Sequence, residues 1–162
     1  MHFRFDFAFR TGATPEQVLS AFTDFTPERL EIWKGTLEPT LYEVLELGET
    51  WALAKEGSVR PTVWAVERYQ WTVPGVEPRR VRWNARSSNF CSPGSGVEIS
   101  VTGGPDGSVV AGTWQRGPSG LRGLLLVPLA RIAAPRQLIP AWAEALDRYA
   151  AAASRSGGRS RP

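Results

Sequence analysis

Apolar and polar residues alternate at the start of the chain, and this pattern predicts a half-buried β-strand. Four phenylalanines occupy every second position from Phe3 to Phe9, with charged or small residues between them. Successive side chains of a strand point to opposite faces, so a period of two is typical of a strand with one buried face. Thr14-Pro-Glu-Gln17 then supplies an N-cap hydroxyl, a proline at the first helical position and a capping glutamine. Thr26-Pro27 repeats the signal before Gly35, which predicts two short helices.

Strand-like patterning returns between residues 41 and 116 and predicts six further strands. We expect them at residues 41–47, 50–56, 62–72, 80–89, 97–102 and 108–116. The segments between them are rich in glycine and proline, as in Pro93-Gly-Ser-Gly96, which is typical of turns. Such short connections indicate an antiparallel meander.

The last third of the chain, residues 124–153, is helical in composition. Apolar residues recur there at helical spacing, at Leu138, Trp142, Ala145 and Tyr149. Three prolines, Pro128, Pro135 and Pro140, predict a kink or a break before residue 141. A single curved sheet has no second sheet to pack on, so this helix is expected to cross its concave face.

The predicted fold class is therefore α+β, of the helix-grip type. It comprises a curved antiparallel sheet of about seven strands, two short helices after strand one, and a long C-terminal helix across the concave face. With 162 residues the chain is long enough for one domain with a substantial core. We assign that domain to residues 1–153, with a cavity between helix and sheet.

Residues 154–162 are expected to form a disordered basic tail. The three arginines of this segment, Arg155, Arg159 and Arg161, account for the whole formal net charge of +3. The remaining body is formally neutral, which argues against a nucleic-acid partner. The tail has almost no apolar side chains to bury, so we interpret it as solvated.

Cysteine and histidine counts exclude several kinds of site. Cys91 and His2 are the only residues of their types, so an intrachain disulfide and clustered cysteine or histidine metal sites are excluded. The glycine-rich run before residue 97 precedes a strand, whereas phosphate cradles open a helix. We expect no metal, no cofactor, no membrane-spanning helix and a cytoplasmic location. Cys91 without a nearby base is interpreted as structural.

Several short segments resemble the START-like or SRPBCC superfamily over about residues 3–150. They are Ala13-Thr-Pro-Glu-Gln-Val18, Ile32-Trp-Lys-Gly35, Thr50-Trp-Ala-Leu53, Gly112-Thr-Trp114 and Gly120-Leu-Arg-Gly-Leu-Leu125. The last of these is similar to the polyketide cyclase/dehydrase and lipid-transport branch. The resemblance implies the helix-grip fold, but it assigns no chemistry, because this superfamily includes carriers, cyclases and interaction modules.

Seven tryptophans are many for a chain of this length, and most fall in or beside the sheet. Rigid aromatic rings suit the wall of a ligand cavity, although they also fill cores. Candidate ligand-binding residues are Trp33, Trp51, Glu67, Arg68, Tyr69, Trp71, Trp83, Asn89 and Trp114. Catalytic residues are not assigned. Glu67 and Arg68 are adjacent and lie on opposite strand faces, so whichever points inward is a candidate acid, base or anchor; an outward cross-strand ion pair is the simpler interpretation.

We therefore expect a protein that binds a small hydrophobic or aromatic molecule. Whether it is an enzyme stays open. A polyketide cyclase or dehydratase is the first alternative, and an intracavity charged pair would favour it. A protein-partner interaction module is the second alternative, and a shallow groove with an exposed apolar patch would favour that.

Overall fold

The alternating phenylalanines form the first strand of a seven-stranded sheet. A computed structural model describes residues 1–157 of the chain. Its elements are β1 (Phe3–Thr11), α1 (Pro15–Thr23), α2 (Glu28–Ile32), a 3₁₀ turn (Pro39–Leu41), β2 (Glu43–Leu47), β3 (Trp51–Val59), β4 (Thr62–Trp71), β5 (Arg79–Ser88), β6 (Gly96–Gly104), β7 (Gly107–Arg116) and α3 (Gly120–Gly157). The predicted order of elements is confirmed.

The sheet is antiparallel throughout, in the order β1-β7-β6-β5-β4-β3-β2. Strands β2 to β7 form the predicted meander, and β1 closes it by pairing with the last strand, with Phe5 opposite Trp114. The sheet is curved, and α3 and the two short helices complete the helix-grip fold predicted from sequence.

The first helix begins as its capping signal predicts. The Gln17 backbone N–H donates to the Thr14 hydroxyl at 3.2 Å, and the Gln17 side chain accepts from the Thr14 backbone N–H at 2.9 Å. These bonds satisfy two amides that a helix start otherwise leaves unpaired. The helix then buries Val18, Leu19 and Phe22 against the sheet.

Helix α3 is uninterrupted in spite of its three prolines, so of the predicted kink or break before residue 141 the break does not occur. Each proline removes one hydrogen bond to the carbonyl four residues earlier. Those carbonyls belong to residues 124, 131 and 136, which are all exposed. Water can therefore replace the missing amides, while the opposite face of the helix packs on the domain.

The helix also continues through Gly157, four residues into the segment predicted as a tail. Residues 158–162 lie outside the described residues, so the tail stays a prediction. By length and composition alone, α3 is the one described helix that could cross a bilayer, over Gly120–Arg155.

Aromatic rings tie the sheet to the helices at the centre of the core. Trp83 of β5 stacks on Tyr69 of β4, with ring centroids 5.3 Å apart. The same indole meets Phe22 of α1 at 5.8 Å and Trp142 of α3 at 5.8 Å. One tryptophan therefore joins three elements, and the cavity described next lies beside this cluster.

Candidate ligand cavity

A cavity of about 630 Å³ lies between the concave face of the sheet and α3. Its floor is formed by β3, β4, β5 and β7, its roof by residues 126–142 of α3, and one side by α1, α2 and the segment after α2. Exposed residues at its edge, among them Arg60, Pro61 and Leu129, mark where it meets solvent. The cavity has the volume of a small-molecule site.

Small side chains on the sheet leave the room for this cavity. Glu67 pairs with Ala54 on one neighbouring strand and with Ala85 on the other, so both flanking positions on its face carry only a methyl group. Ala65, two residues before Glu67, also lines the cavity. Along α3, alanines at positions 130, 133, 134 and 141 face it. Large residues at these places would fill the space.

Aromatic rings make up much of the remaining wall. They come from α1, the end of α2, the sheet and α3, and include Phe22, Trp33, Tyr69, Trp83, Trp114 and Trp142. Trp33 is held in place by its indole N–H, which donates to the carbonyl of Ala21 at 3.1 Å. Trp114 stacks on Phe5 of the neighbouring strand at 5.1 Å. The wall is therefore rigid and largely apolar.

A buried ion pair interrupts the apolar wall. Arg116 Nη2 donates to Glu67 Oε1 at 3.0 Å, and the two residues are 8% and 6% exposed. Arg116 is at the end of β7 and Glu67 is on β4, so β5 and β6 lie between them. On β5 the position opposite Glu67 is Ala85, whose methyl group leaves room for the arginine to reach across.

The ion pair is one end of a longer polar chain. The Tyr69 hydroxyl lies 2.8 Å from Glu56 Oε2 and 3.4 Å from Glu67 Oε2, so its proton is donated mainly to Glu56. Glu56 Oε1 accepts from Arg29 Nε at 2.7 Å. Arg29 Nη1 in turn donates to the carbonyls of Phe22 and Asp24. Two arginines and two glutamates are thus linked through one tyrosine.

Burial changes the acidity of this cluster. Desolvation raises the pKa of Glu67 above its ordinary value, against the opposing effect of Arg116. Desolvation also raises the pKa of Tyr69 well above its usual range, and the neighbouring carboxylates of Glu56 and Glu67 add to the effect. Glu67 is therefore a carboxyl group that exchanges its proton at a higher pH than an exposed glutamate.

One donor in the cluster is left without an acceptor. Arg116 Nη1 is buried and has no hydrogen-bond partner among residues 1–157. A buried unpaired donor costs about 1–3 kcal/mol, more when it is charged. Within the same described residues, no group of three or more histidine, cysteine, aspartate or glutamate side chains is arranged to hold a metal ion.

Five of the nine candidate residues line the cavity: Trp33, Glu67, Tyr69, Trp83 and Trp114. Glu67 points inward, so an outward cross-strand ion pair is the wrong interpretation for this residue. Its partner is Arg116 of β7, and not an arginine of a neighbouring strand.

Trp51 and Arg68 do not reach the cavity. The Arg68 guanidinium lies 4.2 Å from the centre of the Trp51 ring on the outer face of the sheet. Since Glu67 points inward, strand alternation turns Arg68 to the opposite face. The structure therefore places both residues outside the cavity wall.

Trp71 and Asn89 also lie away from the cavity. Trp71 stacks on Phe25 at 5.9 Å, beyond Tyr69 on β4 and beneath the corner between α1 and α2. Asn89 extends the sheet, because its Oδ1 accepts from the Trp64 backbone N–H at 2.9 Å and its Nδ2 donates to the Thr62 carbonyl at 3.3 Å. Both have structural contacts, and neither is part of the wall.

Sequence reasoning missed Arg29, Glu56 and Arg116, which are three of the five residues of the polar cluster. A signal for Arg116 was available, since it is two residues after Trp114 on a strand and so shares its face. Glu56 is separated from the cavity residues in sequence and has no comparable signal. Its position follows only from the pairing of β3 with β4, in which Glu56 is opposite Ala65.

Comparison with known proteins shows the fold and little more. No family model matches the chain, and no curated protein matches it. Among solved structures, the Zhui aromatase/cyclase from Streptomyces sp. R1128 superposes with a TM-score of 0.74 at 13% identity, covering 98% of this chain and 99% of that one. A START superfamily protein from Mycobacterium smegmatis gives 0.64 at 12%, covering 94% and 99%.

A third match is a point mutant of norcoclaurine synthase from Thalictrum flavum, in complex with a transition-state analogue. It has a TM-score of 0.65 at 12% identity and covers 95% of this chain and 97% of that one. These similarities extend over nearly the whole domain and confirm the START-like, SRPBCC fold. At such low identity they transfer no substrate or reaction.

Proposed function

We propose that the protein binds a small hydrophobic or aromatic molecule in the cavity between the sheet and α3. The observation that carries the proposal is an aromatic-walled cavity of about 630 Å³ with a buried ion pair in its wall. Small-molecule sites are mostly apolar, with a few polar groups that fix the orientation of the ligand. The structurally similar norcoclaurine synthase mutant is in complex with a transition-state analogue.

The unpaired donor of Arg116 indicates what the polar end of the ligand carries. An oxygen acceptor at this end of the cavity would supply the partner that Nη1 lacks. We infer a ligand with an aromatic or acyl body and one carbonyl, carboxylate or phenolic oxygen. The aromatic wall would contact the body of the ligand, and Arg116 would set its direction.

Catalysis is a second candidate, and Glu67 is the observation that favours it. A buried carboxyl group with a raised pKa, in a cavity wall and next to a cation, can take up or release a proton at a higher pH than an exposed glutamate. A cyclase or dehydratase needs a cavity that holds a reactive chain and a few groups that move protons. In such a reaction Glu67 would be the acid or base, and Arg116 would bind a developing oxyanion.

The cavity also indicates what kind of partner the protein binds. A solid interface between sheet and helix would have favoured a protein-interaction module, whereas a cavity favours a small-molecule partner.

Cys91 is a buried free thiol, which fits a reducing compartment, and we propose that the protein is located in the cytoplasm.

Mass spectrometry of the natively purified protein tests whether a ligand is retained. Titration with a fatty acid, a flavonoid and a polyketide-like probe, followed by tryptophan fluorescence, then tests binding directly. We expect saturable changes, and Arg116→Met should weaken binding of oxygen-bearing probes by about tenfold. Arg82→Met, on an exposed arginine that bonds to Gln70, is the matched control. Absence of both a retained molecule and a saturable signal would reject the proposal.

A further inference from the structure

The first half of α3 carries an apolar stripe that the described chain leaves uncovered. Its members are Leu121, Leu124, Leu125, Leu129 and Ile132, which are 88%, 56%, 65%, 53% and 58% exposed. Single exposed hydrophobic residues are common on soluble proteins, but a contiguous row marks an interaction surface. Outside α3, the exposed large hydrophobic residues are scattered over the first residue, β2, the end of β3 and the segment between β4 and β5.

Helical geometry places these residues on one face. At about 100° per residue, Leu121, Leu125 and Ile132 fall within about 40° of one another, and Leu124 and Leu129 widen the stripe to about 140°. Gly123, Val127 and Ala134 are buried on the opposite side, toward the domain. The stripe is therefore the solvent-exposed face of α3. A second apolar face of the same helix packs on the domain.

Arginines border the stripe on both sides. Arg122 and Arg131 lie next to its two edges, and Arg136 follows one turn after Ile132. None of the three forms a salt bridge among residues 1–157. Arg131 and Arg136 donate to the backbone carbonyls of Arg4 and Ile132. No acidic residue occurs between Asp106 and Glu144, so this part of the surface is positively charged.

We propose that the stripe docks on the surface of an anionic lipid bilayer, with α3 lying in the interface. Its outward side chains are aliphatic and stand on a convex helix, a shape that fits a fluid lipid layer. Arginines at both edges can extend their charged ends to anionic headgroups while their stems follow the apolar face. The charge complementarity therefore selects an anionic surface.

Two other arrangements fit these observations less well. Two copies packed stripe against stripe would bring their bordering arginines together, at the cost of like-charge repulsion. A spanning orientation of α3 would expose its cavity-lining and core-facing side, which packs on β1 and on α1. A bilayer surface leaves the domain intact and covers only the outer face.

The stripe also adjoins the cavity, because Leu129 belongs to both. If the cavity holds an apolar ligand, as proposed above, docking turns one edge of its mouth toward the lipid. That consequence rests on the proposed function. Docking itself does not, and it can be tested without any ligand.

Co-sedimentation with vesicles is the test. The probes are vesicles of phosphatidylcholine alone and vesicles that also contain phosphatidylglycerol. We expect binding to the second kind, lowered about tenfold or more in the double variant Leu125→Glu/Ile132→Glu. The matched control is Leu45→Glu/Leu47→Glu, which adds the same two charges at exposed positions of β2. Melting curves establish that both variants fold.

A second pair of measurements examines the charges. Arg122→Gln and Arg131→Gln should each reduce binding to anionic vesicles about fivefold and should not affect phosphatidylcholine vesicles. The proposal is overturned if wild-type protein does not bind anionic vesicles, or if the stripe and control variants bind equally. It is also overturned if binding depends on residues 158–162, or if the stripe variant instead dissociates a dimer detected by light scattering.

Discussion

Arg116 Nη2 lies 3.0 Å from Glu67 Oε1, although the two residues are on strands separated by β5 and β6. The contact is possible because Ala85, opposite Glu67 on β5, places only a methyl group on the concave face. A charged pair in the wall of an apolar cavity is expensive to bury and is usually retained for a reason other than stability. Here it gives the cavity its polar end.

Removing Arg116 should destabilise the fold, because Glu67 then lacks its cation. We expect Arg116→Met to lower the free energy of unfolding at neutral pH by about 3 kcal/mol. Adding Glu67→Gln to this variant should recover part of the loss, since the carboxylate left without its cation is then replaced by a neutral amide. Urea unfolding of the single and double variants measures this coupling, with Arg82→Met as the surface control. Strictly additive losses would mean that the two residues do not interact.

The stability contribution of Glu67 should depend on pH. Its pKa in the folded protein is raised above the ordinary value of 4.5. The protonated form is favoured by folding, so this contribution is complete below about pH 4.5 and is lost as the pH rises through the raised pKa. The stability of wild type relative to Glu67→Gln should therefore fall with increasing pH above 4.5. An increase with pH in denaturation series would show that the ion pair lowers the pKa instead.

The two faces of the sheet should respond differently to substitution of tryptophan. Trp114 lines the cavity, whereas Trp51 lies on the outer face beneath Arg68. We expect Trp114→Phe to weaken probe binding several-fold and to change the fluorescence response, and Trp51→Phe to leave affinity unchanged. Melting curves separate lost affinity from lost stability. Equal effects of the two substitutions on affinity would contradict the location of the site.

If the protein turns over a substrate, Glu67 should donate or accept a proton in that reaction. Glu67→Gln keeps the size and most hydrogen bonds of the side chain but cannot exchange a proton. We expect kcat to fall by about 100-fold or more with little change in KM. Equal losses in kcat and in affinity would make Glu67 a binding anchor. Arg68→Gln on the outer face is the control.

The elements of the fold could be predicted from the sequence because the local signals agree with one another. The phenylalanine alternation of β1 and the capping sequence at Thr14 gave an element order that the structure confirms. The continuity of α3 was not predictable in this way. Whether a proline breaks a helix depends on whether the freed carbonyl faces water, and that depends on how the helix packs.

The site was only partly predictable, since alternation assigns residues to two faces without saying which face is concave. Glu67 and Arg68 were equivalent in the sequence, and the curvature of the sheet decided between them. The contact of Glu67 with Arg116 crosses two strands and depends on the small residue Ala85 on one of them. No local pattern contains that information, because it arises from the register of the whole sheet.

Filling the cavity from α3 tests the central claim most directly. Ala133 lines the cavity, and Ala143, on the same helix and also half-buried, does not. Calorimetric titration with a flavonoid or fatty-acid probe should show saturable binding to wild type and to Ala143→Trp, and binding weakened about tenfold or more in Ala133→Trp. Undiminished binding to a folded Ala133→Trp variant would contradict the account, because the ligand would then occupy another place on the protein.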